Sequence, residues 1–474
     1  MKAIDCFEKA SYMQALTIAH GVTTMNSRQR PSQSKIRVAS LFLLLTSVLL
    51  FAGCDAQEDG DVGPVTIKYV APGSELQAVP EEAAIERFHE RMPSIEVDRQ
   101  TQVQGLSHYL SESPPPDAIL WYEGYELYDT ARQNLLFDLS NIWAENDLDE
   151  AYGRQFREIG RVDGTSRFIP AGFTWASVYY NKDIFERYGL IPPATWEEFI
   201  SICDALLANG ETPLSLTGKD HFHSTIWFSY LNMRLNGPSF HRRLIEGEVS
   251  YNDERLVPVW ETWISLLQQG YFIESPGQTS ETESVNALIR GDENSSPTQK
   301  KAVMALASHY SVGRLSPELA AELDFFPFPQ MNSDSAVGEI SLAFGYVIPA
   351  GAAHKAEAST FVGYMASAEA QSMQMVRISE DPTNAGWIPL HRDMDRSLLS
   401  VDARKGENIV RGADEVMPPL AFALPSGMFS GFTTLLEWMF LKLETGDSEI
   451  DIFEIQSILE EARQQAFQNG EYRQ

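Results

Sequence analysis

The stretch YYNKDIFERYGLIPPATWEEFISICDALLANGETPLSLTG, residues 179–218, decides the fold. It completes an extended run, ASVYYN (176–181), and passes into a short helix, KDIFERYG, which Pro192-Pro193 ends. Thr195 is placed as an N-cap, with Glu198 three residues on in capping-box position. The helix that follows buries Trp196, Phe199, Ile202, Leu206 and the thiol of Cys203, and it stops at Gly210, a C′ residue. TPLSLTG (212–218) is then a strand. Strand, helix and strand within forty residues point to an α/β chain.

The same alternation extends outward. Upstream, VTIKYVA (65–71), PEEAAIERFHERMP (80–93) and SIEVDRQ (94–100) read as strand, helix and strand. DAILWY (117–122) is a buried strand, and LFDLSNIW opens a helical region. Downstream, helices dominate 224–274, and KAVMALAS (301–308) is a strand followed by the turn HYSVGRL. DFFPFPQ (324–330) is a proline-broken stretch crossing between units, and ISLAFGYVIP (340–349) is a strand. Residues 356–376 read as one long amphipathic helix, and two more helices, from GFTTLLEWMFLKLETG and DIFEIQSILEEARQQAFQNG, close the chain. Met365, Met373 and Met375 fill core or groove.

At 474 residues the chain suits two or three domains. Acidic residues number 66 against 36 basic, a net charge of -30, and no Arg/Lys stripe is present. That argues against nucleic acid, whose phosphates would be repelled. The cysteines, Cys6, Cys54 and Cys203, are too few for a disulfide framework and lack zinc-site spacing. Residues 38–53, VASLFLLLTSVLLFAG, follow Arg28, Arg30, Lys35 and Arg37 and carry no charge. A basic start and a short apolar run make a secretory signal, so 1–53 is expected to be a signal peptide, with Met25 as an alternative start. Phe51-Ala52-Gly53-Cys54 resembles a bacterial lipobox, which makes Cys54 the expected lipidation site; the alternative is an uncleaved signal anchor. Residues 54–64 form a polar tether.

No GxxxxGK[ST] loop, HExxH or GxSxG is present, so no catalytic role and no cofactor or metal is expected. His221 and His223, two apart, are a weak metal hint, and Asp117, Glu123, Asp183 and Asp220 are the carboxylates from which a glycosidase pair would have to come. Aromatic residues stand beside chain turns: Trp121, Tyr122 and Tyr125 after a strand end, and Trp175, Trp227, Tyr310 and Trp387 near strand–helix junctions. An aromatic face packs on the C–H face of a sugar while nearby carboxylates accept its hydroxyls, although any one tryptophan serves equally as core.

At these residues the chain resembles the solute-binding proteins of bacterial ABC importers, in the sugar-binding family that includes maltose-binding protein. The resemblance runs from about residue 65 to the end; its most specific part is 179–218, with FHERMPSIEV, PDAILW, NLLFDLS, KAVMALAS, FPFP and SAEAQ as further matches. It implies a two-lobed periplasmic-binding-protein-like clamp: 65–170 plus 335–400 as lobe one, 173–330 plus 401–474 as lobe two, with crossings near 170–174, 331–339 and 385–415. It implies a ligand site of Trp121, Glu123, Trp175, Trp227, His309, Tyr310 and Trp387, with Thr174, Phe429 and Phe432 beside it. His309 and Tyr310 replace the family's Gly-x-Trp, which leaves the sugar type open. Implied partners are a mono- or oligosaccharide, the importer's permease subunits and a membrane held through the lipid anchor, with the protein a monomer. Asp55 resembles an inner-membrane retention signal, which places the protein at the periplasmic face of the inner membrane in a Gram-negative cell. The alternatives are the same fold binding another solute, for a phosphate through Arg314 or Arg392, and a secreted glycoside-acting enzyme.

Overall fold

Three parallel strands begin the sheet: β1 (Val65–Ala71) pairs along its whole length with β2 (Ile95–Thr101) and at its end with β3 (Ala118–Tyr122). The computed structural model describes residues 63–72, 81–219, 221–289, 301–333, 335–380, 387–445 and 449–472. The apolar run 38–53, Cys54, Asp55 and Asp220 lie outside them. The helix Glu82–Arg91 lays Ala84, Ile85 and Phe88 on this sheet, as their spacing predicts. A two-stranded ribbon, β4 (Arg161–Val162) with β5 (Thr165–Ser166), precedes the thirteen-residue strand β6 (Ile169–Asn181).

The remaining strands are β7 (Leu214–Ser215), β8 (Met304–Ser308), β9 (Leu323–Phe326), β10 (Gly338–Val347), β11 (Ile388–Pro389) and β12 (Glu415–Met417). Their order is β2-β1-β3-β10-β6-β8-β7, with β9 and β11 also on β6 and β12 on β10. β10 runs antiparallel to both β3 and β6 and so sits between them. Two strands change partners midway. Ile169 to Trp175 of β6 face β10, whereas Ala176 to Asn181 face β8 and β9. Ser341 to Val347 of β10 pair with β6 and β3, whereas Gly338 to Ile340 pair with β12. The molecule therefore carries two α/β sheet regions joined by strands that belong to both.

The second region packs β7, β8, β6 and β9 against the helices Trp196–Ala208, Phe222–Asn236, Val257–Gln268, Ser426–Glu444 and Ile452–Gln468. Alternation decides the faces: Ala176, Val178 and Tyr180 enter this core, while Tyr179 points to the other. The capping box forms as read, with the Glu198 carboxylate accepting from Thr195 N at 3.1 Å and from Ala194 N at 2.8 Å. Those amides hold its pKa below the usual value. Cys203 is buried in the second core.

Four local readings differ from the structure. Residues 356–376 form two helices, Lys355–Met365 and Ala368–Glu380, because the Ser367 hydroxyl accepts from Ala370 N at 3.3 Å and starts a new one. HYSVGRL begins with a helical turn, His309–Val312, capped by Ser308. DFFPFPQ contributes β9, which pairs with β6 before Pro327 ends the ladder. Only Leu214 and Ser215 of 212–218 join the sheet.

Candidate functional site

The partner change in β6 places Trp175 where the two sheet regions meet, opposite Ser341. Its indole is 2% exposed. The His309 ring lies parallel to it, centroids 3.9 Å apart at 12°, and Tyr179 Oη lies 3.0 Å from His309 Nδ1. On the edge of the indole stands Gly406, where a methyl group would overlap the six-membered ring. The indole N–H of Trp175 and the hydroxyl of Thr174 are buried without a hydrogen-bond partner.

β3 delivers Trp121, Tyr122 and Glu123 to the same junction. Glu123 N donates to Ala343 O at 2.8 Å, which fixes the residue one step beyond the strand. Its side chain is 5% exposed and Oε2 has no partner. Burial pushes its pKa up to about 8 against the opposing pull of Arg242, so the group is largely neutral at pH 7. Gly124, at φ 144, follows; any side chain there would strike the Phe422 carbonyl. Tyr122 faces the Phe422 ring at 5.4 Å, and Phe422 faces Phe222 at 6.3 Å. Tyr122, Phe222 and Phe422 are half-buried and Tyr310 is 39% exposed. Burial raises the Tyr122 phenol, and the neighbouring Tyr310 adds to the rise.

The structure thus brings together Trp121, Glu123, Trp175, His309 and Tyr310 of the expected residues. Trp387 lies edge-on to Phe344 at 4.3 Å and above Gly172, on the first sheet. Trp227 sits elsewhere: it is 0% exposed and packed by Phe272, Phe328 and Phe199 in the second core. Phe432 is buried against Phe228 and Tyr251, and Phe429 is half-buried on the same core. A buried ring has no face to offer a solute, so the half-exposed set Tyr122, Phe222, Tyr310 and Phe422 is the better wall. Phe222 and Phe422 had no sequence signal. The first opens a helix behind His221, held at φ 59, and the second lies in the four-residue helix Leu420–Ala423.

The polar candidates resolve individually. Asp117 accepts from Lys68 N at 3.0 Å and His354 N at 2.8 Å, and Asp183 is exposed. His221 Nε2 lies 3.3 Å from Glu437, and His223 Nε2 accepts from Ser308 N at 3.3 Å. Among the described residues no group of three or more His, Cys, Asp or Glu is placed to hold a metal ion. Arg314 lies over the Tyr310 ring at 6.0 Å, while Arg392 lies against Gly153.

Two α/β regions, shared strands and an aromatic rim with a buried carboxyl define a two-domain clamp of the periplasmic-binding-protein type. The chain belongs to the bacterial extracellular solute-binding protein family, whose sequence model matches residues 76–372. It is 24% identical over 361 residues to an uncharacterised ABC transporter extracellular-binding protein of Pyrococcus horikoshii, covering 72% of this chain and 77% of that one. It is 26% identical over 228 residues to the osmoprotective compounds-binding protein GgtB of Synechocystis, covering 45% of this chain and 52% of that one. Among solved structures, the bacterial solute receptor AcbH, described as preferring β-D-galactopyranose exclusively, superposes with a TM-score of 0.73 at 21% identity, over 85% of this chain and all of that one.

Proposed function

We propose that the protein is a carbohydrate-binding lipoprotein that captures a sugar between two lobes and delivers it to the permease of an ABC importer. The observation that carries this reading is the rim: half-exposed Tyr122, Phe222, Tyr310 and Phe422 beside a buried Glu123 whose Oε2 is unpartnered. Apolar ring faces with a few placed polar atoms suit the two-sided surface of a sugar. A Glu123 that is largely neutral donates a hydrogen bond to a sugar oxygen and does not attract an amine. The likeness in fold to a galactopyranose receptor supports the sugar, and the likeness in sequence to an ABC transporter extracellular-binding protein supports the permease. Trp175 stands behind the rim, and Trp121 and His309 flank it.

We place lobe one at 65–175 plus 341–416 and lobe two at 176–340 plus 417–474, dividing both shared strands where they change partners. Arg411, which donates to Tyr152 O and Leu390 O at 2.8 Å each, and Gln155, which donates to Arg411 O at 2.6 Å, support joining 401–416 to lobe one. Attachment through Cys54 at the cell envelope completes the proposal. The test is a thermal-shift screen of the chain from Asp55 onward against mono- and oligosaccharides, with osmoprotective compounds as the counter-arm because of the GgtB likeness. A saturable sugar hit, confirmed by calorimetry, supports the reading. A hit confined to the counter-arm replaces sugar with that class.

A further inference from the structure

Arg234 has a fully buried side chain within the second core. Its guanidinium donates to Gly338 O at 2.5 Å, to Phe328 O at 3.0 Å and to Glu339 Oε1 at 2.7 Å. It lies over the rings of Tyr230 and Phe328, at 5.2 Å and 5.8 Å, which stack on one another 4.7 Å apart at 2°. The Tyr230 hydroxyl is 2.7 Å from Ala176 O and 2.9 Å from Glu339 Oε2, and it accepts from Ile340 N at 3.3 Å.

The residues so tied are not a random set. Ala176 is the first residue of β6 beyond its change of partner, and Gly338, Glu339 and Ile340 are the residues of β10 just before theirs. A buried ion pair is weak as a source of stability, because desolvation offsets its attraction. Its geometry is specific, however, and a planar five-donor fork fixes several acceptors at once.

We propose that Arg234, Tyr230 and Glu339 form an anchor that clamps the second-lobe ends of both shared strands to the helix Phe222–Asn236. Bending is thereby confined to Trp175/Ala176 and Ile340/Ser341, and the three residues set solute affinity as positioning residues without touching the solute. This rests on the solute-clamp reading for its effect on affinity, but the anchor itself is testable without a ligand.

The experiment uses Tyr230→Phe, which keeps the stacked ring and removes one hydroxyl, and the double variant Arg234→Met/Glu339→Gln, which leaves no lone buried charge. Amide hydrogen exchange, small-angle scattering and calorimetry with the best solute are read on each. In Tyr230→Phe the amides of 176–178 and 339–341 should exchange at least about tenfold faster while those of Trp196–Ala208 stay as they were. The free protein's radius of gyration should change, and solute affinity should fall roughly tenfold, the equivalent of one lost hydrogen bond. Wild-type exchange at those amides in Tyr230→Phe overturns the anchor, as does equal acceleration throughout the chain. If the double variant does not fold, Tyr230→Phe alone decides. Local exchange and scattering changes in a chain that binds no solute leave the anchor standing and remove the sugar reading.

Discussion

Gly406 lies in the interior of the helix Val401–Gly412, where glycine ordinarily costs about 1 kcal/mol relative to alanine. Replacing a free helical glycine with alanine should therefore stabilise the protein by about that much. Here the added methyl would overlap the ring of Trp175. The helix is poorly able to retreat. Glu407 beside it is buried and paired with Arg396 and Arg411, and Arg411 donates to Tyr152 O and Leu390 O at 2.8 Å each. The indole is held on its face by His309. Overpacking of this kind costs about 1–3 kcal/mol. Set against the propensity gain, Gly406→Ala should be destabilising by up to about 2 kcal/mol. Trp175→Phe makes room, so the same methyl should be neutral or favourable in that background, a coupling of roughly 1–3 kcal/mol. Urea denaturation of the four proteins followed by far-ultraviolet circular dichroism measures the cycle. A higher midpoint for Gly406→Ala alone would refute the packing argument.

At the rim, Tyr122→Ala and Phe422→Ala should each weaken solute binding by about 2 kcal/mol, roughly 30-fold, whereas Trp227→Ala should lower thermal stability without selective loss of binding; calorimetry and melting curves separate the two. Glu123 has its pKa raised from 4.5 to about 8, so the unfolded chain holds fewer protons than the folded one between those values. Its contribution to stability is thus least unfavourable below pH 4.5 and worsens as pH rises towards 8; Glu123→Gln should gain on the wild type across that window in denaturation midpoints, and a constant difference would contradict it. Cys54→Ser should abolish metabolic labelling by fatty acid, and equal labelling of both proteins would sink the lipid anchor.

What the sequence revealed was what local chemistry controls. β1 runs over the predicted Val65–Ala71, and the Thr195–Glu198 capping box forms because its donors and acceptors lie within four residues. The faces of long strands were harder. Trp121 and Trp175 follow turn-rich segments, yet their exposure depends on neighbours such as Gly406 and Gly345, far away in the chain. Trp227 reads equally as wall or core, and only the arrival of Phe272 and Phe328 decides it. Phe222 and Phe422 meet although they lie 200 positions apart in the chain, and no periodicity records such a meeting. The split at Ser367 was hidden because the apolar stripe continues across it while the hydroxyl cap interrupts the backbone.

The insertion of β10 between β3 and β6 also governs when the molecule can be made. Leu120 remains without its neighbour until Tyr346 exists, and Thr174 waits likewise for Leu342. Neither sheet region can be finished by the first half of the chain, so partial chains expose unpaired strand edges and folding is dominated by distant pairings, which form slowly. A nascent chain of this design stays uncommitted for most of its synthesis. That delay would suit the proposed export, in which the chain crosses a membrane before it folds.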